Sequence, residues 1–153
     1  AAGRAIAPPL IGPTASRTMT TLDEAFQSAL STEAEVGFDA LSERDRVLVT
    51  IWGLEADVNN GGFDQYFFNS SGDHAFAAVE CLRRIGANAM ADIVRDATSL
   101  FGQDGVPRDR STRQDALDSF RDDSEEFLDA LDTRFIAYPD DLSGLLQNYL
   151  GGL

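Results

Sequence analysis

Six carboxylates, Asp115, Asp118, Asp122, Glu125, Asp129 and Asp132, recur at intervals of 3, 4, 3, 4 and 3 residues. On a helix that spacing sets them along one face, while Leu117, Phe120, Leu128, Leu131 and Phe135 take another. Such a row makes and breaks no bonds. It presents negative charge at regular intervals, about one carboxylate per 5 Å of helix axis. DNA carries about one phosphate per 3.4 Å along a single strand and per 1.7 Å with both strands counted. One stripe is therefore too sparse to pass for a duplex; adding Asp123, Glu126, Asp140 and Asp141, or a second copy of the chain in a homodimer, raises the density. Residues 111–141 hold ten acids and three arginines, so a fifth of the chain carries half of its net charge of −14. A basic, groove-reading surface would meet carboxylates where it expects phosphates, with its arginines pairing bidentately and its approach steered and salt-sensitive. The bland alternative is a solvated helix face in a salt-adapted or high-GC chain.

A second group, Glu55, Asp57, Asp64, Asp73 and His74, surrounds the centre of the chain. It makes a thin case for an enzyme. His74 is the only histidine, Cys81 the only cysteine, and neither GxSxG nor a phosphate loop occurs, so neither a nucleophile with its base nor a zinc site assembles. Oxygen ligands alone would suffice for calcium or magnesium. No catalytic residue, metal or cofactor is expected, and His74 reads as a helix-start residue. Trp52, Phe63, Tyr66, Phe67 and Phe68 could line a ligand pocket with Asn59, Asn60, Gln65 and Asn69 as its polar contacts. Aromatic residues at helical spacing mostly pack, however, and the favoured reading is core.

The elements that must position these groups are helical throughout. Pro8, Pro9 and Pro13 with Gly3 and Gly12 give residues 1–19 the character of an arm or tail, ahead of one domain over residues 20–153. Thr21 with Glu24 reads as a capping box opening a helix striped by Leu22, Phe26 and Ala29. Val36 to Leu41 reads as a connector. Ser42 caps a helix from Glu43 to Val58, although Val47, Val49, Thr50, Ile51 and Trp52 would also suit a buried strand; length decides for the helix. Ser71 is expected to cap a helix over residues 73–85 closed by Gly86, and a second over residues 88–101 is closed by Gly102, making a helical hairpin. Ser111 with Gln114 is expected to open the acidic segment, as one helix or two broken near residues 122–124. Pro139 is expected at the first position of the last helix, with Asp140 and Asp141 in its first turn.

Between the helices before and after it lies NNGGFDQYFFNSSGD, residues 59–73. Asn59, Asn60, Gly61 and Gly62 read as a helix stop and turn. Phe63, Tyr66 and Phe67 then make a one-face aromatic cluster on a short helix, and Asn69, Ser70, Ser71 and Gly72 make a second stop. This run, preceded by WGLEADV and followed later by FIAYPDD and Leu150, resembles the signature of a bacterial all-α domain family. The best-described type in that family is a small acidic DNA-mimic protein. The likeness covers residues 20–153, with Gln65 and Gly72 among its signature positions. It implies an all-α fold and a non-enzymatic protein that binds and inhibits DNA-binding proteins such as a repressor or nucleoid protein.

Composition sets the bounds. At 153 residues the chain can bury roughly 70% of its unfolded surface without disulfides or metals. Cys81 falls in an apolar helical pattern and reads as a small buried hydrophobe. No apolar run reaches the length of a membrane span, and residues 5–12 are broken by Pro8 and Pro9 as a signal-peptide core, so a cytoplasmic protein is expected. Twenty-six acids face twelve basic residues, all of them arginine, a balance that repels nucleic acid and anionic lipid and attracts basic proteins. The sequence thus predicts an all-α, compact single-domain bundle of six to eight short helices with an acidic C-terminal half. Its alternatives in function are the neutralising partner of one basic protein such as a nuclease toxin, and a small-ligand or metal-binding enzyme at the Asn-Gly-Gly corner.

Overall fold

Residues 47–56 form a run of ten consecutive buried positions in the middle of one helix, and the rest of the molecule is arranged to cover it. The computed structural model describes residues 16–151 and is all-α. The expected N-terminal arm lies, over residues 1–15, outside the described residues. Seven α-helices follow in order: α1 Ser16–Val36, α2 Glu43–Phe68, α3 Ala75–Arg84, α4 Asn88–Thr98, α5 Arg110–Phe120, α6 Glu125–Ile136 and α7 Leu142–Gly151. Short 3-10 segments, Phe38–Ala40, Ser70–His74 and Ser99–Phe101, join them. Among the described residues there is no strand, and no helix is long and apolar enough to cross a membrane.

Helix α2 is packed by α1, α3, α5 and α6. Being covered on every side explains its sequence: a helix buried all round needs apolar residues all round, so the β-branched run shows no clean 3.6-residue stripe. Ser42 caps it as expected, its Oγ accepting from Asp45 N at 3.1 Å. Phe26 of α1 stacks on Trp52 with ring centroids 4.6 Å apart, and Phe63, Tyr66 and Phe67 are fully buried. The aromatic cluster is therefore core, apart from Phe68, which is 42% exposed. Cys81 is buried too, and desolvation pushes its thiol up to about 11.

The glycine pair does less than a full stop. Asn59 and Asn60 remain helical, the break is confined to Gly61 and Gly62, and helix resumes at Phe63. Gly62 has φ +76, and a Cβ there would run into the Asp132 carboxylate, so both the backbone and the space require glycine. Gly86 closes α3 as expected: its N–H bonds to Arg83 O at 3.0 Å and that of Ala87 to Leu82 O at 2.8 Å, a Schellman pair that starts the hairpin into α4.

Four expected caps are different. Helix α1 begins at Ser16, which puts Thr21 inside it rather than at its start. Ser71 lies within a 3-10 segment, and α3 opens at Ala75 without a side-chain cap. Asp109, two residues before Ser111, caps α5 by accepting from Thr112 N at 2.8 Å; it is an equally good capping type, and Gln114 turns instead to Phe68 O at 2.9 Å. Helix α7 begins at Leu142, beyond Pro139, and Asp141 accepts from Gly144 N at 3.2 Å.

Candidate partner-binding face

The acidic segment is two helices. Residues 121–124 form the turn between α5 and α6 and keep helical bonding, with Arg121 N to Leu117 O at 2.9 Å and Ser124 N to Phe120 O at 3.0 Å. Both helices pack on α2, and their buried apolar residues are Leu117 on α5 and Leu128, Leu131 and Phe135 on α6. The carboxylates opposite these contacts are left facing water.

Six of the ten singled-out acids, Asp115, Asp122, Asp123, Glu125, Glu126 and Asp129, are exposed and have no ion-pair partner among the described residues. Asp118 is exposed but paired with Arg121 at 3.1 Å. The other three hold helix starts. Asp132 Oδ1 accepts the Phe63 N–H at 2.8 Å, satisfying the first donor after the Gly61–Gly62 break. Asp140 Oδ2 accepts from Met90 N at 2.8 Å, at the start of α4, and Asp141 does the same for α7. Burial raises the Asp132 carboxyl above its ordinary range, the Phe63 N–H opposes that, and the nearby charges of Asp129 and Asp64 add to it.

Between α5 and the end of α2, Arg121 donates from Nε to Asp64 Oδ1 at 2.7 Å and from Nη1 to Asp118 Oδ1 at 3.1 Å. Its guanidinium carbon stands 5.8 Å from the centroid of the Phe68 ring. The sequence offers Asp64 only as a candidate catalytic acid and gives no sign that Arg121 and Phe68 belong to this face, because the contact joins residues 57 positions apart.

The polar residues of the central motif meet one another instead. Asp57 Oδ1 accepts from Gln65 Nε2 at 2.9 Å and from Asn69 Nδ2 at 3.3 Å. Asn59 Nδ2 donates to Tyr138 Oη at 2.6 Å, and that hydroxyl donates to Glu55 Oε1 at 2.7 Å. Glu55 is 2% exposed, and burial pushes its carboxyl up to about 7 against the lowering effect of the Tyr138 hydrogen bond. Tyr138 holds its place with φ +51, a left-handed backbone unusual for a tyrosine. His74 directly precedes α3, bonds Glu33 of α1 at 2.6 Å and stacks on Phe38 at 4.2 Å.

Arg113 is the residue most easily overlooked in the sequence. Fully buried on α5, it donates to Phe67 O, Asn69 O, Pro107 O, Arg108 O and Asp73 Oδ1 at 2.6 to 3.1 Å. It thereby satisfies the carbonyls at the end of α2 and fastens the Asn-Ser-Ser-Gly turn. A Cβ on Gly72 would lie 2.6 Å from Tyr66 O and 2.7 Å from Arg113 Nε, so glycine is needed for this close approach. The signal was there: Arg113 sits on the same helical stripe as Leu117 and Phe120, where a solvated arginine has no place.

Neither the curated proteins nor the solved structures returned a match. A family model described as DMP19-like protein matches residues 39–151, which takes in the central motif, its Arg113 and Tyr138 anchors and the whole acidic face. With most of its length so matched, the chain belongs to the DMP19-like protein family.

Proposed function

We propose that this protein is a non-enzymatic DNA mimic that binds basic, DNA-reading surfaces of other proteins and keeps them from DNA. The observation that carries this reading is the set of six exposed carboxylates on α5, α6 and the turn between them, none with an ion-pair partner among the described residues. Carboxylates serving only the fold would be capping helices or pairing with arginines, as Asp132, Asp140 and Asp73 do. Membership of a family of DNA-mimic type supports the same reading. Partner arginines and lysines would take these groups as they take phosphates, with steering over about a Debye length and a marked loss of affinity in salt.

Immobilised protein should retain DNA-binding proteins from a lysate at low salt and release them when duplex DNA is added. Retention indifferent to DNA would refute mimicry, and retention of one basic protein alone would identify a dedicated neutralising partner instead.

A further inference from the structure

We propose that Phe68 is the centre of a docking surface for an arginine side chain of a basic partner, and that the chain's own Arg121 occupies the place until the partner arrives. The partner's being basic rests on the mimic reading; its use of arginine is argued from the surface itself. Phe68 ends α2 as a 42% exposed residue, and its backbone is tied to α5. Its carbonyl accepts from Gln114 Nε2 at 2.9 Å and Arg110 Nε at 3.3 Å. One turn earlier Asp64 offers a carboxylate, and Asp118 offers another from α5. A guanidinium placed among the three can bond both carboxylates while it stands over the ring, as Arg121 does with its central carbon 5.8 Å from the ring centroid. A lysine ammonium has no such plane and gains less from the ring.

The same geometry makes Arg121 displaceable. Side-chain exposures of 37% for Arg121, 48% for Asp64 and 63% for Asp118 leave both ion pairs in high dielectric, where such pairs are worth about 0–1 kcal/mol. An incoming arginine that makes the same contacts replaces one exposed pairing with another, and it also gains the attraction of Asp115 and Asp122 nearby in sequence on the same acidic segment. A DNA duplex offers its readers no aromatic ring in this position. A partner engaged here is thus held by one contact that nucleic acid does not offer.

Fluorescent hepta-arginine and hepta-lysine peptides, titrated by anisotropy at low salt, test this on the full chain. Arg121→Gln should bind hepta-arginine about five-fold tighter than the unchanged protein does, and hepta-lysine only about two-fold tighter, from the added net charge alone. Phe68→Leu added to Arg121→Gln should remove the difference. Equal gains for the two peptides, or no gain for arginine, would overturn the proposal. Phe68→Leu and Asp64→Asn made singly keep Arg121 and stay on the surface, so they serve should Arg121→Gln fold poorly. Each must weaken the arginine peptide more than the lysine peptide, and equal losses overturn the proposal as well. Failure of duplex DNA to release captured proteins would strike the mimic reading and leave the peptide preference standing, whereas equal peptide gains with capture intact would strike this proposal alone.

Discussion

Arg113 and Arg121 lie two helical turns apart on the same stretch of chain, and each binds aspartate. Arg113 is fully buried with five acceptors, four of them backbone carbonyls; Arg121 is partly solvated with two carboxylates and the face of one aromatic ring. The same contrast separates the two regions they serve. Around the central motif, Glu55 and Asp73 are hydrogen-bonded by side chains from elsewhere in the fold and Asp57 by side chains farther along α2 and at its C-cap, whereas along α5 and α6 most carboxylates bond nothing. Acidic residues that build this molecule are thereby distinguished from those left available to something outside it, although composition gives both the same weight.

The comparison breaks most sharply at Arg113. Replacing it with methionine keeps the bulk but takes a donor from five acceptors, so stability to urea should fall by about 3–5 kcal/mol; a loss below 1 kcal/mol would mean the carbonyls find other donors and the corner is not held as described. Glu55 comes next. Its folded-state carboxyl titrates near 7 against 4.5 for the free group, so between those values the folded protein keeps a proton that the unfolded chain has released. Stability should accordingly decline as pH rises from 4.5 through 7, by up to about 3 kcal/mol, and the decline should flatten in Glu55→Gln when unfolding is followed across that range.

Smaller still is the cap at the glycine break, where Asp132→Ala should lose about 1–2 kcal/mol in the same measurement. The acidic face gives the least: changing Asp115, Asp122, Glu125 and Asp129 together to Asn and Gln should leave stability within about 0.5 kcal/mol, or raise it through reduced repulsion. That variant should nonetheless lose its salt-sensitive capture of basic proteins. Intact capture would reduce the face to a solvated surface and erase the distinction between the two regions.

What could be read from the sequence follows from what is local. Ser42 and Gly86 act within a few residues of themselves, and both behave as their types predict. The fold class and helix number follow from such signals together with spacing. Where two good capping types compete, as with Asp109 and Ser111, local rules do not choose between them. Periodicity ranks Asp132 with Asp129 because it sees only the helix they share; that Asp132 turns to Phe63, 69 residues earlier, depends on α6 being laid across α2. Arg113 was available as an anomaly on an apolar stripe, but three of its five acceptors lie 40 or more residues earlier, in residues 67–73. Asp64 and Phe68 are neighbours by their i, i+4 spacing on α2, but Arg121 joins them only after α5 is docked, and no spacing rule supplies that.

The hydrogen bond between Phe63 and Asp132 makes one amide in the core a reporter on the surface. Its acceptor belongs to α6, and that carboxyl is coupled to Asp129 and Asp64 on the acidic face. A cation arriving there makes the potential at the Asp132 carboxylate less negative and so alters its hold on the Phe63 N–H. Hydrogen–deuterium exchange at Phe63 should therefore change on partner binding while exchange at neighbouring α2 amides stays constant. The glycine break, which from the sequence looks like a place where a helix stops, is then also where occupancy of the outer face can be detected from within.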